Sequence, residues 1–285
     1  MYFYSCSGQA HGGGGAAMAA STSHWHSYLG VIVSHERQRL GHFQQAKDIL
    51  LTLLEGVHAR EPRFLADYAR NLVASEFALC ASEDAVTMEV PLWIDGDALG
   101  VLACWLGDTQ SGTWHFDIVP VVRRQQEPLQ LKGRQSDRGF PEGSLRKATE
   151  EAHFIPAAPY CWRSSTHLPI LKLVQAVDAL KGPRLDSLHL LDQFRSQDWR
   201  EEGGKGGLTF NHLEMVLLWS TELFPSPEDW QDLEGSVYRL LVIFLRCLAT
   251  RHLPHFLHPE ENLFQGEPPD LASLYHKVDS FTQDP

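Results

Sequence analysis

An α+β half followed by an all-helical half is the fold class predicted by this 285-residue sequence. Three observations predict it. Between residues 87 and 122, short runs rich in β-branched and aromatic residues alternate with Asp and Gly turn signals. Before them, from Leu40 to His58, apolar residues recur at helical spacing. After them, from Leu208 to Phe264, two apolar-periodic segments are joined by a Pro-rich turn and closed by a second proline-broken turn.

The elements follow in order. Residues 1–17 end in HGGGGAA, which buries little and reads as a mobile tail. His24 and His26 flank Trp25 in a surface turn, because an HxH pair alone is too few ligands for a metal. Phe43, Ala46, Ile49, Leu50, Leu53, Leu54 and Val57 make one wide helical stripe suited to packing on a sheet. Glu61-Pro62 breaks it, and a second helix follows through Phe64, Leu65, Tyr68, Leu72 and Phe77. Strands are expected at Thr87–Ile94, Val101–Leu106 and Trp114–Val122, the last two separated by the turn residues GDTQSG. Pro91 and Pro120 each remove a ladder donor, which places them at edges or bulges.

Residues 123–144 are polar and Gly-rich and read as a linker. From Leu145 helices are expected to dominate, interrupted at Pro156, Pro159 and Pro169, with segments at 168–180 and 185–194 ahead of a flexible EEGGKGG loop. The two long helices come next. Thr209 is the N-cap of the first, and Glu214 in its early turns is favoured by the helix dipole. A last short helix spans Asp270 to Phe281.

Composition narrows the function. Hydrophobic residues at 43% and charged residues at 21% are ordinary for a folded domain. A net charge of −12, with 24 Lys and Arg against 36 Asp and Glu, argues against nucleic-acid binding, which runs on cation–phosphate contacts. Arg123-Arg124 and Arg134 with Arg138 are the densest basic groups. Five widely spaced cysteines (Cys6, Cys80, Cys104, Cys161 and Cys247) form no CxxC pair and fit a reducing compartment, cytoplasmic or nuclear. Cys80 and Cys247 fall within apolar-periodic segments, as buried thiols do. The best apolar run, Val237 to Ala249, falls short of the roughly 20 residues a bilayer needs and contains Arg239 and Arg246, so no membrane partner is expected.

Short motifs weigh little. His252, His255 and His258 recur every third residue, but Pro254 and Pro259 break any helix that would align them on a metal; a structural turn is expected. Gly203 to Gly207 lacks the order of a phosphate loop. No GxSxG elbow is present, and Cys161-Trp162 has no paired base. Trp219, Phe224 and Trp230 are expected to pack the helical core.

A set of landmarks carries more. It comprises Leu208, Thr209, His212, Leu213, Trp219, Trp230, Cys247-Leu248, Leu253-Pro254, Phe256, Pro259 and Asn262-Leu263-Phe264. In these the sequence resembles the C-terminal helical part of the Mab-twenty-one family, whose fold is shared with cyclic GMP–AMP synthase. The resemblance is strongest to the fourth Mab-twenty-one-like type and extends over most of residues 18–285. It implies a nucleotidyltransferase-like mixed sheet braced by N-terminal helices over 18–144, then a helical domain over 145–285 that ends before the family's last helices.

Active relatives of such a fold hold two Mg²⁺ ions with three strand carboxylates, and a Gly-Ser turn grips the triphosphate. Carried over residue by residue, the three positions fall on Thr87, Glu89 and Asp117, so one acid is a hydroxyl. The Gly-Ser turn would fall within residues 75–84, which contain no glycine. Glu89 and Asp117 are only 28 positions apart, which implies a shortened form that exposes apolar sheet surface. The expectation is therefore a catalytically inactive nucleotidyltransferase-fold scaffold in differentiation or signalling, without cofactor. It would bind protein partners through Trp, His and Leu anchors of its helical half, with self-association left open. The alternative is a metal-dependent nucleotidyltransferase or nucleotide sensor using Mg²⁺ at Glu89 and Asp117 with a nucleoside triphosphate.

Overall fold

The structure, a computed structural model, describes residues 27–34, 48–49, 51–53, 55–60, 62, 85–92, 115–125, 137–158, 161–199, 207–265 and 270–283. Outside them lie several sequence expectations: the 1–17 tail, the His24/His26 turn, the second helix through Phe64–Phe77, the strand at Val101–Leu106, and the loop core at 201–206.

The α+β class holds. Four strands, β1 (Ala85–Leu92), β2 (His115–Gln125), β3 (Glu151–Ala158) and β4 (Cys161–Ser165), form one sheet in the order β1-β2-β3-β4. β1 and β2 run parallel while the other two pairs are antiparallel, so the sheet is mixed. Pro91 lies in β1, at one end of that strand order. Pro120 lies where β2 is paired to β1 but has not yet met β3, so its missing N–H is tolerated.

Two expectations change here. The reading of 123–144 as a linker fails at both ends, because β2 runs to Gln125 and residues 137–149 form a docked turn and helix α1 (Ser144–Thr149). Helices were expected from Leu145, yet β3 and β4 occupy most of 151–165. The prolines that signal a broken helix are absorbed by the sheet: the β3–β4 register shifts between Pro156 and Ala158, a bulge in which an unpaired residue costs little. The docked turn depends on Asp137, whose carboxylate accepts from the Gly143 and Leu145 amides at 2.7 and 2.8 Å. Gly139 sits at φ +80, where a Cβ would overlap the Thr221 carbonyl, so the close approach demands glycine.

The helical half comprises α2 (His167–Asp178), α3 (Arg184–Gln197), α4 (Phe210–Leu223), α5 (Leu233–Thr250) and α6 (Leu271–Gln283), with a short 3₁₀ turn at Pro227–Trp230. α5 lies at the centre, packed on α3, α4 and α6, while α1 touches both α2 and β3. Pro169 is accommodated in the first turn of α2, where no intrahelical donor is lost. One apolar core runs through these helices, with Leu173, Leu190, Leu191, Met215, Leu217, Leu240 and Phe244 fully buried. Phe194, Trp199, Phe244 and Phe281 join α3, α5 and α6 through ring contacts of 4.3–6.2 Å.

Residues 27–34, for which the sequence offered no element, dock on the helical half: Ile32 is buried in its core, the Tyr28 ring stacks on Phe194 at 5.8 Å, and its hydroxyl donates to Gln197 Oε1 at 3.0 Å. In the helix around 48–60, Ile49, Leu53 and Val57 of the predicted stripe are exposed. The stripe was expected against a sheet; among the described residues no element covers these three.

Candidate functional site

The strand positions come first. The parallel register sets Thr87 beside Asp117 and Glu89 beside Val119. Parallel partners share a face and strand residues alternate with period two, so positions 87, 89 and 117 belong to one face of the sheet. The backbone thus brings the three expected positions together. By residue type, Thr87 carries a hydroxyl, and Glu89 and Asp117 carry carboxylates.

The helical half holds the ordered polar chemistry. At the α4–α5 turn, Trp230 is fully buried and its Nε1–H donates to the Phe224 carbonyl at 2.8 Å. The Arg184 guanidinium lies 4.6 Å above the Trp230 ring and donates to the Lys181 carbonyl. Burial lowers its pKa to about 10, partly opposed by Asp229, and its Nε finds no acceptor among the described residues. Gly182 passes at φ +97 so close to the Trp230 carbonyl that a Cβ would overlap it. This is a strut, with the cation–π contact taking the place of a solvent shell. Above it, Arg239 bridges the Phe224 ring at 5.6 Å and Asp229 at 3.3 Å.

The start of α4 is closed by His212. Its Nδ1 accepts from the Thr209 amide at 3.1 Å and lies 2.7 Å from Thr209 Oγ1, while Nε2 faces the Leu263 carbonyl at 3.4 Å. That pattern requires the neutral ring with its proton on Nε2. Burial, the largest influence, lowers its pKa. Thr209 is the N-cap as the sequence predicts. Glu214 was expected as an acid favoured by the helix dipole, which describes a charged carboxylate. It is buried, and desolvation with the nearby Asp192 charge raises its pKa to about 8, so it is a protonated acid at neutral pH.

The His252, His255 and His258 run is a turn. His255 Nδ1 accepts the Leu257 and His258 amides at 3.1 and 3.2 Å, which commits the lone pair a metal would need. Asn262 closes the same turn, accepting from the Leu253 and Phe264 amides and donating to the Arg251 carbonyl. Trp219 Nε1 donates to Pro254 O at 2.8 Å, and Met215 Sδ accepts from the Phe256 amide. Cys247 is buried, with its thiol pushed up to about 11, which makes it unreactive. No group of three or more His, Cys, Asp or Glu is arranged for a metal among the described residues.

Trp230 packs in the core as expected, together with Trp199, and Trp219 is partly buried against it. Among the described residues of the helical half, the large apolar side chains that reach solvent are Leu223, Tyr238 and Val242. Sequence periodicity could have found Tyr238 and Val242, which lie one turn apart on the outer face of α5. Arg184 and Glu214 carry no sequence signal, since their burial comes from the packing of other helices.

Residues 184–279 match the family described as Mab-21 protein HhH/H2TH-like domain. Two curated relatives are both Protein mab-21-like 3. That of Danio rerio is 25% identical over 182 residues, covering 62% of this chain and 47% of the relative. That of Xenopus laevis is 28% identical over 184 residues, covering 62% and 49%. The chain spans about half the length of these relatives. No helix among the described residues is long and apolar enough to cross a membrane. The helical half is thus similar to the Mab-21 C-terminal domain, and the chain is homologous to mab-21-like 3 proteins over three-fifths of its length.

Proposed function

We propose that the chain is a nucleotidyltransferase-fold protein without nucleotidyl transfer, of the fourth Mab-twenty-one-like type, that works as a protein-binding scaffold in the cytoplasm or nucleus. The observation that carries this is the strand register: the residue beside Asp117 is Thr87, a hydroxyl where two-metal chemistry needs an acid. Two carboxylates supply too little negative charge to hold two divalent ions close together. Among the described residues of the helical half, Arg184, His212, His255 and Asn262 each serve a turn or a helix end. What remains for recognition is the outer face around Tyr238 and Val242 with Leu223. A fold alone does not choose between activities.

The test is direct. Incubated with all four ribonucleoside triphosphates and Mg²⁺ or Mn²⁺, the chain releases no pyrophosphate and forms no oligonucleotide or cyclic product. Product formation that Asp117→Asn abolishes overturns the proposal.

A further inference from the structure

We infer that Ser226, in the turn between α4 and α5, is an acceptor for a proline-directed serine kinase, and that its phosphate loosens that turn. Ser226-Pro227 is the one Ser-Pro or Thr-Pro step in the sequence. Many serines reach solvent, but this one has the backbone and the following residue that such a kinase selects. Ser226 is exposed and extended at φ −79 and ψ 134, the conformation a following proline favours. Pro227 supplies no amide N–H that a docked peptide would have to satisfy.

The hydroxyl is also free to react without dismantling the fold. Ser226 flanks the 3₁₀ turn but makes no side-chain capping bond; its Oγ–H donates instead to the exposed Glu228 carboxylate. The turn is closed by backbone, through the Asp229 amide on the Ser226 carbonyl at 3.0 Å, and by the buried Trp230 four residues after Ser226. Phosphorylation therefore removes one exposed hydrogen bond and leaves the scaffold of the turn in place.

The chemistry balances. Ser226 Oγ forms a bond to the γ-phosphorus of ATP while the bond from that phosphorus to the bridging β–γ oxygen breaks. ADP leaves, and the hydroxyl proton passes to the kinase's base. The product places roughly two negative charges beside Glu228 and Asp229. The cation that now holds this turn to α5 is Arg239, paired with Asp229 at 3.3 Å. Two guanidiniums, Arg239 and the Arg184 that also feels Asp229, then face a doubly charged phosphate and two carboxylates, so the turn is under net repulsion that salt relieves.

The experiment treats the full folded chain with ATP and a proline-directed serine kinase, and in a parallel arm with an acid-directed kinase, followed by intact mass and peptide mapping. The expected result is one phosphoryl group at Ser226 from the proline-directed enzyme, lost completely in Ser226→Ala. The phosphorylated chain melts about 2 °C lower at low salt, and the difference shrinks in high salt or in Glu228→Gln. Labelling only after unfolding, at other residues only, or by the acid-directed enzyme alone overturns the acceptor assignment. Labelling at Ser226 with an unchanged or raised melting temperature overturns the loosening.

Discussion

The α4–α5 region and the β1–β2 pair of this chain are held by contacts of different reach. In the helical region the turns are closed by short-range bonds: Trp230 to Phe224 is six residues, Gly235 to Asp232 three, and Leu253 to Asn262 nine. In the sheet, Ala85 pairs with His115 and Thr87 with Asp117, each 30 positions away. Local bonds are written in local sequence, whereas a strand register depends on which distant strand arrives and in which direction. The helical half therefore announces its turns, and the sheet announces only its strands.

The largest expected effect breaks the stronger side of that contrast. Trp230→Ala removes a fully buried indole, its bond to Phe224 and the ring beneath Arg184. It should cost about 4 kcal/mol in chemical denaturation, whereas Ser164→Ala on the exposed surface of β4 should stay within about 0.5 kcal/mol. Comparable losses at both would show that the Trp230 strut contributes no more than an exposed position.

The next effect concerns Glu214. Its folded pKa is raised from 4.5 to about 8, chiefly by burial. Between those values the unfolded chain releases a proton that the folded chain keeps, so stability falls as pH rises through that window and is flat above it. Glu214→Gln should remove the slope and add roughly 3 kcal/mol at pH 7. Urea titrations at pH 5, 7 and 9 that show parallel behaviour for both proteins would refute a buried acid.

The smallest effect has the opposite sign. His212 is held neutral, with its pKa lowered mainly by burial. Its contribution is present above the ordinary value of 6.5 and is lost as pH falls through the folded pKa. His212→Ala should cost about 1 kcal/mol at pH 7.5 through the lost bonds at the start of α4, and less at pH 5. A cost that grows on acidification would mean that the ring is charged in the folded state.

Much of the helical half was legible. The Thr209 cap, the Pro-rich turn before Trp230 and the closing turn through Asn262 were all placed from residue types, because caps and turns are chosen by side chains within a few positions. The strands at 85–92 and 115–125 were found to within a few residues. β3 and β4 were missed, since Pro156 and Pro159 punctuate helices and bulged strands alike and only pairing tells them apart. Of the expected site, the sequence picked out Thr87, Glu89 and Asp117; the parallel register sets the first and last side by side.

By itself the sequence determined the two long helices from Leu208 onward, the Thr209 cap and the proline-broken turns that end them. Those properties follow from side chains acting on backbone a few residues away. Tertiary structure alone decided that β1 and β2 run parallel, that Glu214 is held as a neutral acid and that Arg184 lies over an indole. Each of these depends on desolvation or pairing by segments remote along the chain, and no local pattern encodes that.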